Sequence, residues 1–364
     1  MTLIATPEGR WQKASPNGRV LCTLCPRACQ LLEGQRGFCF VRKRVNDTIR
    51  LTTYGLASGF CIDPVEKKPL AHFYPGTSVL SFGTAGCNLG CRFCQNWDIS
   101  KAKDIARSSS PGSPEDIART AANWGCSAVA FTYNDPVIFA EYAIDTAHAC
   151  RELGIRTIAV TAGYITENAR DEFFAAMDAT NIDLKAFSDE FYRGLCAAEL
   201  APVLDTLEYV RHHTQTWLEV TTLLIPGKND SAEEIDRLSE WFLEHLGPDV
   251  PLHFTAFHPD YRVTDISATP AETCRRARAQ ALGHGLRYVY TGNIVDEGGQ
   301  TTNCPNCGKA VIRRDGYRIT GWDLESNRCR ACSTTVAGRF ASTGPSRFGS
   351  KRLPVHVPSA PARR

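Results

Sequence analysis

Three cysteines in the first third of the chain have the spacing best suited to redox chemistry. Cys87, Cys91 and Cys94 lie within the segment GCNLGCRFC. A cubane iron–sulfur cluster has four irons, so three thiolates leave one iron free to bind another molecule. A structural zinc site needs four closed ligands, which here would require a distant group such as His72 or His258. The spacing therefore favours a 4Fe–4S cluster with one open iron over a zinc site.

Two further groups of four cysteines flank this motif. The first has the pattern C-x2-C-x3-C-x9-C, and the second is a pair of C-x2-C knuckles with 21 residues between them. Such groups are typical of metal sites in reducing compartments, the alternative being a secreted disulfide scaffold. For the first group zinc is slightly favoured over an auxiliary Fe–S cluster that relays electrons, and for the second we expect zinc, with a rubredoxin-like iron as competitor. The two groups are Cys22, Cys25, Cys29 and Cys39, and Cys304, Cys307, Cys329 and Cys332.

The composition is that of an ordinary globular chain. The 364 residues are 43% hydrophobic and 22% charged, with 41 Lys and Arg against 39 Asp and Glu. The resulting charge of +2 gives no reason to expect nucleic acid or an acidic membrane as partner. No apolar run is long enough to cross a bilayer, and the N-terminus lacks the apolar stretch of a secretory signal. We therefore expect a cytoplasmic protein.

Short apolar runs alternate with helical segments through the middle of the chain. Ser113, Thr166, Ser231 and Thr269 have the features of helix caps. The alternation predicts βαβ units and a parallel sheet. The units are too few for an eightfold barrel and no dinucleotide-binding glycine pattern follows the first strand, so we expect an α/β fold with a partial (β/α)6 TIM-type barrel. The strand-like runs cover residues 79–83, 127–133, 155–161, 181–187, 217–225, 252–257 and 286–292.

The predicted barrel spans residues 76–297. An N-terminal region with the first four-cysteine motif, residues 1–75, precedes it, and a zinc-ribbon-like module, residues 298–340, follows. Residues 341–364 are rich in Pro, Ser and Arg, which predicts a disordered tail. The chemistry of such barrels lies on the loops after the strands, and the three-cysteine motif directly follows the first strand.

These motifs resemble those of the radical SAM superfamily, whose signature is C-x3-C-x2-C with an aromatic residue before the last cysteine, here Phe93. The resemblance implies that the cluster reductively cleaves S-adenosylmethionine (SAM) to a 5′-deoxyadenosyl radical, which abstracts hydrogen from a substrate. Other segments resemble the group near pyruvate formate-lyase activating enzyme and, most closely, the radical SAM member of the AmmeMemoRadiSam system. These segments are 63–76, 86–100, 131–139, 181–187, 223–230 and 288–293.

The resemblance also implies which residues contact SAM. Asn134 and Asp135 would receive its amino group, although Asn-Asp-Pro is also turn chemistry and the family more often has Glu at the position of Asp135. Asp183 and Lys185, on one face of a strand, would bind the ribose hydroxyls and the carboxylate, the alternative being an internal ion pair. Phe93 would pack near the cluster or the adenine.

Other polar groups and thiols have less specific expectations. The polar groups of the later strands either line the substrate cavity or are structural, and they are Glu219, His253, His258, Tyr290 and Asn293. The ungrouped cysteines predict inert buried thiols, and they are Cys61, Cys126, Cys150, Cys196 and Cys274. Cys196 resembles a recurring position of the family, which would allow hydrogen donation or substrate capture.

Three functions are compatible with this pattern. The first is a radical SAM enzyme that acts on a partner protein, with Memo-type and AMMECR-type proteins as implied partners and flavodoxin or ferredoxin as electron donor. The second is radical modification of a small molecule or RNA. The third is a zinc-stabilised binding or electron-transfer protein without SAM chemistry. Formation of 5′-deoxyadenosine from SAM separates the third from the other two.

Overall fold

The computed structural model describes residues 6–105, 109–346 and 348–358. Its N-terminal region contains a three-stranded antiparallel sheet and a hairpin. Each of these small sheets buries an apolar residue on one face, such as Leu31 or Ile49, against the rest of the molecule. Their strands are β1 (Gln12–Ala14), β2 (Val20–Cys22), β3 (Gln30–Leu31), β4 (Arg42–Val45) and β5 (Thr48–Leu51).

The central sheet contains every strand predicted for the barrel. Its strands are β6 (Leu56–Pro64), β7 (Ser78–Gly83), β8 (Ser110–Pro111), β9 (Ala128–Phe131), β10 (Arg156–Thr161), β11 (Ala179–Asp183), β12 (Trp217–Leu224), β13 (Leu252–Ala256) and β14 (Val289–Gly292). β7 and β9 to β14 are parallel and lie side by side in chain order. β6 pairs antiparallel with β7, so the predicted N-terminal region contributes its last strand to this sheet.

Helices connect consecutive parallel strands, as the predicted βαβ units require. They are α1 (Trp97–Ser100), α2 (Pro114–Asn123), α3 (Ala140–Glu152), α4 (Glu167–Ala175), α5 (Asp189–Phe191), α6 (Ala201–His213), α7 (Ala232–His245), α8 (Ala271–Gly283) and α9 (Glu297–Gln300). Shorter helical turns cover Val65–Lys67, Pro136–Phe139 and Tyr192–Cys196. One long helix among α2 to α4 and α6 to α8 lies in each of the six crossovers, which confirms the α/β fold with a partial barrel of six strand–helix units.

Ser113, Thr166 and Ser231 are N-cap residues as predicted, but only the two serines cap through their hydroxyls, and Thr269 lies one residue before the cap. The hydroxyls of Ser113 and Ser231 accept hydrogen bonds from backbone N–H groups three residues on, at 3.1 and 3.2 Å. Thr166 donates instead to the carbonyl oxygen of Thr23 at 2.6 Å. Thr269 donates to the carbonyl oxygen of Leu224 at 2.6 Å. At these two positions the hydroxyl joins distant segments, so a long-range contact replaces the local cap.

The parallel strands are buried on both faces. All residues of β7, β9 and β13 are buried, as expected for a sheet with helices outside and a filled interior. Aromatic rings pack between sheet and helices; Phe82 lies 5.5 Å from Phe131 and 5.6 Å from Tyr142 by ring centroids. Burial of each such side chain stabilises the fold by roughly 1.5 to 3 kcal/mol.

The C-terminal module docks onto the segment between β6 and β7. Its strands are β15 (Thr302–Asn303), β16 (Ala310–Asp315), β17 (Arg318–Trp322), β18 (Leu324–Glu325) and β19 (Arg328–Cys329). The buried Arg314 donates to the carbonyl oxygen of Ala71 at 2.6 Å, and Arg339 N–H donates to the carbonyl oxygen of His72 at 2.7 Å. These contacts bring one edge of the module to the end of the barrel.

The tail differs from its prediction over the residues that the structure describes. Disorder was expected for residues 341–364, but β20 (Leu353–Pro354) pairs antiparallel with β6 and Val357 is buried. The exposed edge of β6 offers unpaired backbone groups, which a few apolar residues of a polar segment are enough to cover. Residues 347 and 359–364 lie outside the described residues.

No helix in the described ranges is long and apolar enough to cross a membrane.

Candidate active site

A cavity of about 710 Å³ lies at the carboxyl ends of the parallel strands. Because the loops after parallel strands meet at one end of such a sheet, residues far apart in sequence converge there. The volume is in the range of small-ligand sites, roughly 300 to 1,000 Å³. Its lining combines the central cysteines with all the cofactor-binding residues predicted from the sequence, namely Cys87, Cys91, Phe93, Cys94, Asn134, Asp135, Asp183 and Lys185.

The cysteine loop after β7 is held by amide side chains. Asn134 donates from Nδ2 to the carbonyl oxygen of Gly86 at 2.7 Å, and its Oδ1 accepts from the backbone N–H of Thr84 at 3.1 Å. Asn88 donates to the carbonyl oxygen of Tyr164 at 2.9 Å. The amide of Asn134 is thus engaged in positioning the loop, a role that the resemblance did not imply.

The thiols of Cys87 and Cys94 are held in apolar surroundings. Burial raises the pKa of Cys87 to about 12. Burial also raises the pKa of Cys94, whose sulfur lies 3.2 Å from the hydroxyl of Ser100. Buried thiols of this kind ionise readily when a metal binds the sulfur, because metal ligands must be deprotonated.

Cys91 has a second cysteine as its neighbour. The thiol of the fully buried Cys196 hydrogen bonds to the Cys91 sulfur, and this bond lowers the pKa of Cys91 to about 7, with Lys185 acting in the same direction. The backbone N–H of Gly90 donates to the carbonyl oxygen of Cys196 at 2.8 Å, which fixes the contact. Cys196 does not line the cavity, so its position favours an effect on Cys91 over direct substrate capture.

Asp135 carries an unpaired carboxylate oxygen at the cavity wall. Its Oδ1 accepts from the hydroxyl of Thr161 at 2.7 Å and from the backbone N–H of Val137 at 3.1 Å, so it also caps the following turn. Its Oδ2 is buried without a hydrogen-bond partner among the described residues. Burial raises the pKa of Asp135 to about 6, opposed by the Thr161 hydroxyl. A buried acceptor without a partner costs roughly 1 to 3 kcal/mol, so this oxygen favours a cationic ligand.

Asp183 and Lys185 form an ion pair on the same wall. Lys185 Nζ lies 2.5 Å from Asp183 Oδ2, at the end of β11. Burial alone would lower the pKa of Lys185, but Asp183 and Cys91 raise it above its usual range, so the amine is charged. The pair is therefore both an internal ion pair and a charged group within reach of a ligand in the cavity.

Phe93 and Phe191 cover the cysteine loop. Phe93 is buried and lines the cavity, and its ring lies 5.6 Å from that of Phe191, centroid to centroid. The two rings exclude water from the loop beside Cys91 and Cys94. This apolar contact strengthens the electrostatic interactions of the neighbouring charged groups.

Sequence comparisons place this site in a known superfamily. The family model of the radical SAM superfamily matches residues 82–240. An uncharacterised protein of Methanocaldococcus jannaschii is 38% identical over 331 residues, which cover 90% of this chain and 98% of the relative. The chain belongs to the radical SAM superfamily. Pyruvate formate-lyase 1-activating enzyme of Escherichia coli K12 is 22% identical over 239 residues, 59% of this chain and 93% of that enzyme.

Solved structures are similar as well. A radical SAM methyltransferase from Sphaerobacter thermophilus has a TM-score of 0.48 and 15% identity, over 60% of this chain and 67% of that one.

Radical SAM enzymes use a 4Fe–4S cluster and cleave SAM, and this chain is therefore an enzyme of that type. The residues of the cavity fit both groups, because the three thiols that line it can hold three irons of a cubane and the unpaired oxygen of Asp135 can accept from the amino group of SAM. Superfamily membership argues against the alternative of a zinc-stabilised binding protein without SAM chemistry. The narrower resemblance to the AmmeMemoRadiSam member stays a prediction.

The contact between Cys196 and Cys91 predicts a shift in reduction potential. Hydrogen bonds to cluster sulfurs stabilise the more negative, reduced state. We expect Cys196→Ala to lower the potential by up to roughly 40 mV, since a net hydrogen bond is worth about 1 kcal/mol and 59 mV corresponds to a tenfold change for one electron. Redox titration followed by EPR measures the shift, and Cys196→Ser, which keeps a donor, is the control. An unchanged potential in Cys196→Ala would show that the contact does not tune the cluster.

Glu219 holds the segment before β7 and is structural. Its carboxylate accepts from the backbone N–H groups of Ala71 and His72, both at 2.8 Å, and from Nε2 of His253 at 2.7 Å. The His72 ring in turn lies 2.5 Å from the hydroxyl of Tyr290. These bonds satisfy a fully buried carboxylate, and they lower its pKa against the effect of burial. His72 is thus a packing residue. Both of its ring nitrogens have hydrogen-bond partners, which argues against a role as a zinc ligand.

Some of the remaining polar groups of the later strands line the cavity, and one lies on the protein surface. His253, Tyr290 and Asn293 line the cavity. Asn293 is also engaged with the carbonyl oxygen of Ala256 at 3.1 Å. His258 is exposed and does not line the cavity.

Sequence reasoning missed three charged residues of the cavity, Glu66, Lys67 and Arg314. Burial raises the pKa of Glu66 to about 7, opposed by Arg314, whose Nε lies 4.0 Å from its Oε1. The other oxygen, Oε2, is buried without a partner among the described residues. Glu66 lies in the segment 63–76, whose resemblance was noted without a role, whereas nothing in the sequence connects Arg314 to a barrel that ends before it.

The C-terminal cysteines form a compact group. Among the described residues, they are the one group of three or more potential metal ligands whose donor atoms all lie within 4.8 Å of one another. Sulfur–sulfur distances are 3.5 Å between Cys304 and Cys332 and 3.8 Å between Cys307 and Cys329. A single ion can therefore bind all four thiolates.

The other cysteines lie apart from the main cavity. The N-terminal group of four lines a separate small cavity. The five ungrouped cysteines are buried, as predicted for inert thiols. All sixteen cysteines lie in the described ranges and are free thiols, which argues against the disulfide-scaffold alternative.

Proposed function

We propose that this radical SAM enzyme abstracts hydrogen from a partner protein. The observation that carries the proposal is the convergence of the three-cysteine loop, Asp135 and the Asp183–Lys185 pair on one cavity. When bound, the cluster supplies the electron that divides SAM into methionine and a 5′-deoxyadenosyl radical. Cys87, Cys91 and Cys94 would hold three irons and leave the fourth for SAM.

The charged residues of the wall would orient SAM. Oδ2 of Asp135 would accept from an N–H of its amino group, Lys185 would attract its carboxylate, and Asp183 would accept from the ribose hydroxyls. Phe93 packs beside the cysteine loop and excludes water, which protects a reactive carbon radical from solvent.

Apolar side chains around the mouth of the cavity suit a protein substrate. Val295 lines the cavity and is 95% exposed. Trp97, one residue after the cavity-lining Asn96, is 44% exposed and stacks on Tyr261 at 5.7 Å. Exposed aromatic and aliphatic groups are enriched at protein interfaces. The relative from E. coli is named as an activating enzyme of another enzyme, which agrees with a protein substrate.

Transfer of deuterium tests the proposal. Perdeuterated Memo-type and AMMECR-type proteins, the partners that the resemblance implies, are incubated with the enzyme, SAM and reduced flavodoxin or ferredoxin. We expect deuterium in 5′-deoxyadenosine and a protein-based radical in the EPR spectrum, both absent in Cys91→Ala. Formation of 5′-deoxyadenosine without deuterium from either partner would contradict a substrate of this class. A cytoplasmic enzyme would meet these electron donors in the cell.

Glu66 and Arg314 favour a second candidate, radical modification of a small molecule. Both line the cavity, and the unpaired Oε2 of Glu66 would suit a polar substrate. RNA is the less favoured substrate because the whole chain carries a net charge of only +2. Consumption of a metabolite in a cell extract, without a protein-based radical in the EPR spectrum, would support this candidate.

For the C-terminal group we propose zinc. A Zn–S bond of about 2.3 Å in tetrahedral geometry places sulfurs roughly 3.8 Å apart, close to the distances in this group. We expect about one zinc ion per chain, lost in the double variant Cys304→Ser/Cys329→Ser together with a lower melting temperature, because metal binding folds small modules. Elemental analysis measures the loss, and Cys126→Ser is the control. Iron in place of zinc at this site would contradict the assignment.

A further inference from the structure

The N-terminal module surrounds a small cavity with four cysteines. Cys22 ends β2, Cys25 and Cys29 lie in the following loop, and Cys39 precedes β4. All four line the cavity. None of the four lines the cavity of the proposed active site, so direct contact with SAM or substrate does not account for them.

Backbone N–H groups point at all four sulfurs. The backbone of Leu24 hydrogen bonds to Cys22 and that of Arg27 to Cys25. The N–H of Phe38 donates to the Cys29 sulfur at 3.4 Å, and the backbone of Val41 and Arg42 hydrogen bonds to Cys39. Such donors stabilise thiolates that bind a metal, in the same way as second-shell contacts in other metal sites.

A buried cation adds to this preference for negative charge. The guanidinium of Arg42 is 2% exposed and lines the cavity beside the four thiols. Its partner Glu141 accepts from Arg42 Nη1 at 3.1 Å. A buried cation therefore lies next to the four cysteines.

The spacing of the sulfurs separates the candidate metals. No three cysteines of this group, all of which the structure describes, have sulfurs within 4.8 Å of one another, unlike the C-terminal group. A zinc ion requires sulfurs roughly 3.8 Å apart. A cubane holds its thiolates farther apart, because each binds a different iron. The sulfurs of the central triplet likewise do not all lie within 4.8 Å of one another.

The N-terminal module touches the central cysteine loop directly. Gly86 has a φ of +88°, and a Cβ atom there would lie 2.1 Å from the carbonyl oxygen of Cys39, so only glycine allows this approach. Arg27 Nε donates to the carbonyl oxygen of Asn88 at 2.8 Å, and Asn88 lines the N-terminal cavity. The N-terminal module therefore packs directly against the loop that carries Cys87.

The outer surface of the module is basic and partly apolar. Residues 9–50 contain two Asp and Glu and nine Lys and Arg, of which Arg42 is buried and Arg10 and Arg50 form ion pairs with carboxylates outside this range. The other six basic residues are at least partly exposed. Leu32, Phe38 and Phe40 are 42%, 44% and 38% exposed. This combination suits an acidic one-electron carrier, because complementary charge steers the weak encounters of redox proteins.

We propose that Cys22, Cys25, Cys29 and Cys39 hold an auxiliary 4Fe–4S cluster that relays electrons to the cluster on Cys87, Cys91 and Cys94. The donor is an acidic one-electron carrier protein such as a reduced flavodoxin or ferredoxin. One electron would pass from the carrier, which is oxidised, to the auxiliary cluster and from there to the central cluster, which would return to its oxidised state by passing the electron to SAM. The existence of the site is independent of the proposed function, whereas the relay depends on it.

Metal content tests the site without any SAM chemistry. After anaerobic reconstitution we expect about eight irons per chain in the wild type and about four in the triple variant Cys87→Ala/Cys91→Ala/Cys94→Ala. The triple variant should still show the EPR signal of a reduced 4Fe–4S cluster. Loss of all iron from it, with a second zinc ion in the wild type, would overturn the proposal. If the triple variant folds poorly, Mössbauer spectra of the wild type give the number of cluster irons per chain.

The relay is tested by comparing two reductants. In Cys25→Ser/Cys29→Ser we expect the ratio of the flavodoxin-driven to the dithionite-driven rate of SAM cleavage to fall roughly tenfold, equivalent to about 1.4 kcal/mol. Dithionite reaches the central cluster from solution and does not need the relay. An unchanged ratio would overturn the relay, and absence of SAM cleavage in the wild type with either reductant would instead overturn the proposed function.

Discussion

Replacement of Cys91 by alanine is expected to reduce 5′-deoxyadenosine formation to below about 1% of the wild-type rate, a loss of more than about 2.7 kcal/mol in barrier height. Cys91 supplies one of three sulfurs for the central cluster, and it also lies next to Lys185 and Cys196. Its removal leaves two protein ligands and a cavity in the loop. The cluster with its open iron should then be lost or disordered.

A matched variant separates this effect from a general loss of stability. Cys274 is also fully buried but lies on α8 and does not line the cavity. Cys274→Ala should retain activity close to the wild type, at a modest cost in stability. Anaerobic assays with dithionite and quantification of 5′-deoxyadenosine give the rates. Equal rates in Cys91→Ala and wild type would refute the assignment of the cluster ligands.

The second large effect is expected at Asp135. Asp135→Asn should weaken SAM binding by roughly 10- to 100-fold, because a hydrogen bond to a charged group is worth about 1.5 to 3 kcal/mol and each 1.4 kcal/mol is tenfold in affinity. The variant keeps an oxygen that can accept from Thr161 and Val137, so the local turn should survive. The substitution therefore removes mainly the charge that faces the ligand.

Asp135→Glu is the informative comparison. The longer carboxylate keeps the charge, and related proteins more often carry glutamate at this position. We expect its dissociation constant for SAM to stay within about tenfold of the wild type, measured by equilibrium dialysis of the reconstituted protein. If Asp135→Asn binds SAM as tightly as the wild type, Asp135 does not contact the amino group of SAM.

Local patterns were sufficient to predict the barrel. Each strand combines β-branched and apolar residues with a helix behind it, and strands such as β7 and β12 lie within one residue of the predicted bounds. The predicted and observed strand bounds differ beside the cavity. β11 was expected to run to residue 187 but ends at Asp183. Lys185 therefore lies on the loop at the cavity and not inside the sheet.

Contacts between distant segments could not be predicted from local sequence. Cys196 and Cys91 are brought together by a turn 105 residues farther along the chain, and Arg314 reaches the cavity from the C-terminal module. Asn134 lines the cavity as expected of a SAM contact, which stays a prediction, but local sequence did not reveal that its amide also holds the cysteine loop. The order of the tail was also unpredictable from local sequence, because its polar composition did not reveal that β6 has a free edge with which Leu353 can pair. In each case the deciding partner is remote in sequence.

The most direct test is electron–nuclear double resonance on the reduced enzyme with SAM labelled by ¹⁵N at its amino group. Binding of SAM to the open iron of the cluster on Cys87, Cys91 and Cys94 predicts a ¹⁵N coupling to the cluster spin, retained in Cys274→Ala and absent in Cys91→Ala. A reduced cluster that shows no ¹⁵N coupling, although SAM is bound to the protein, would contradict the account.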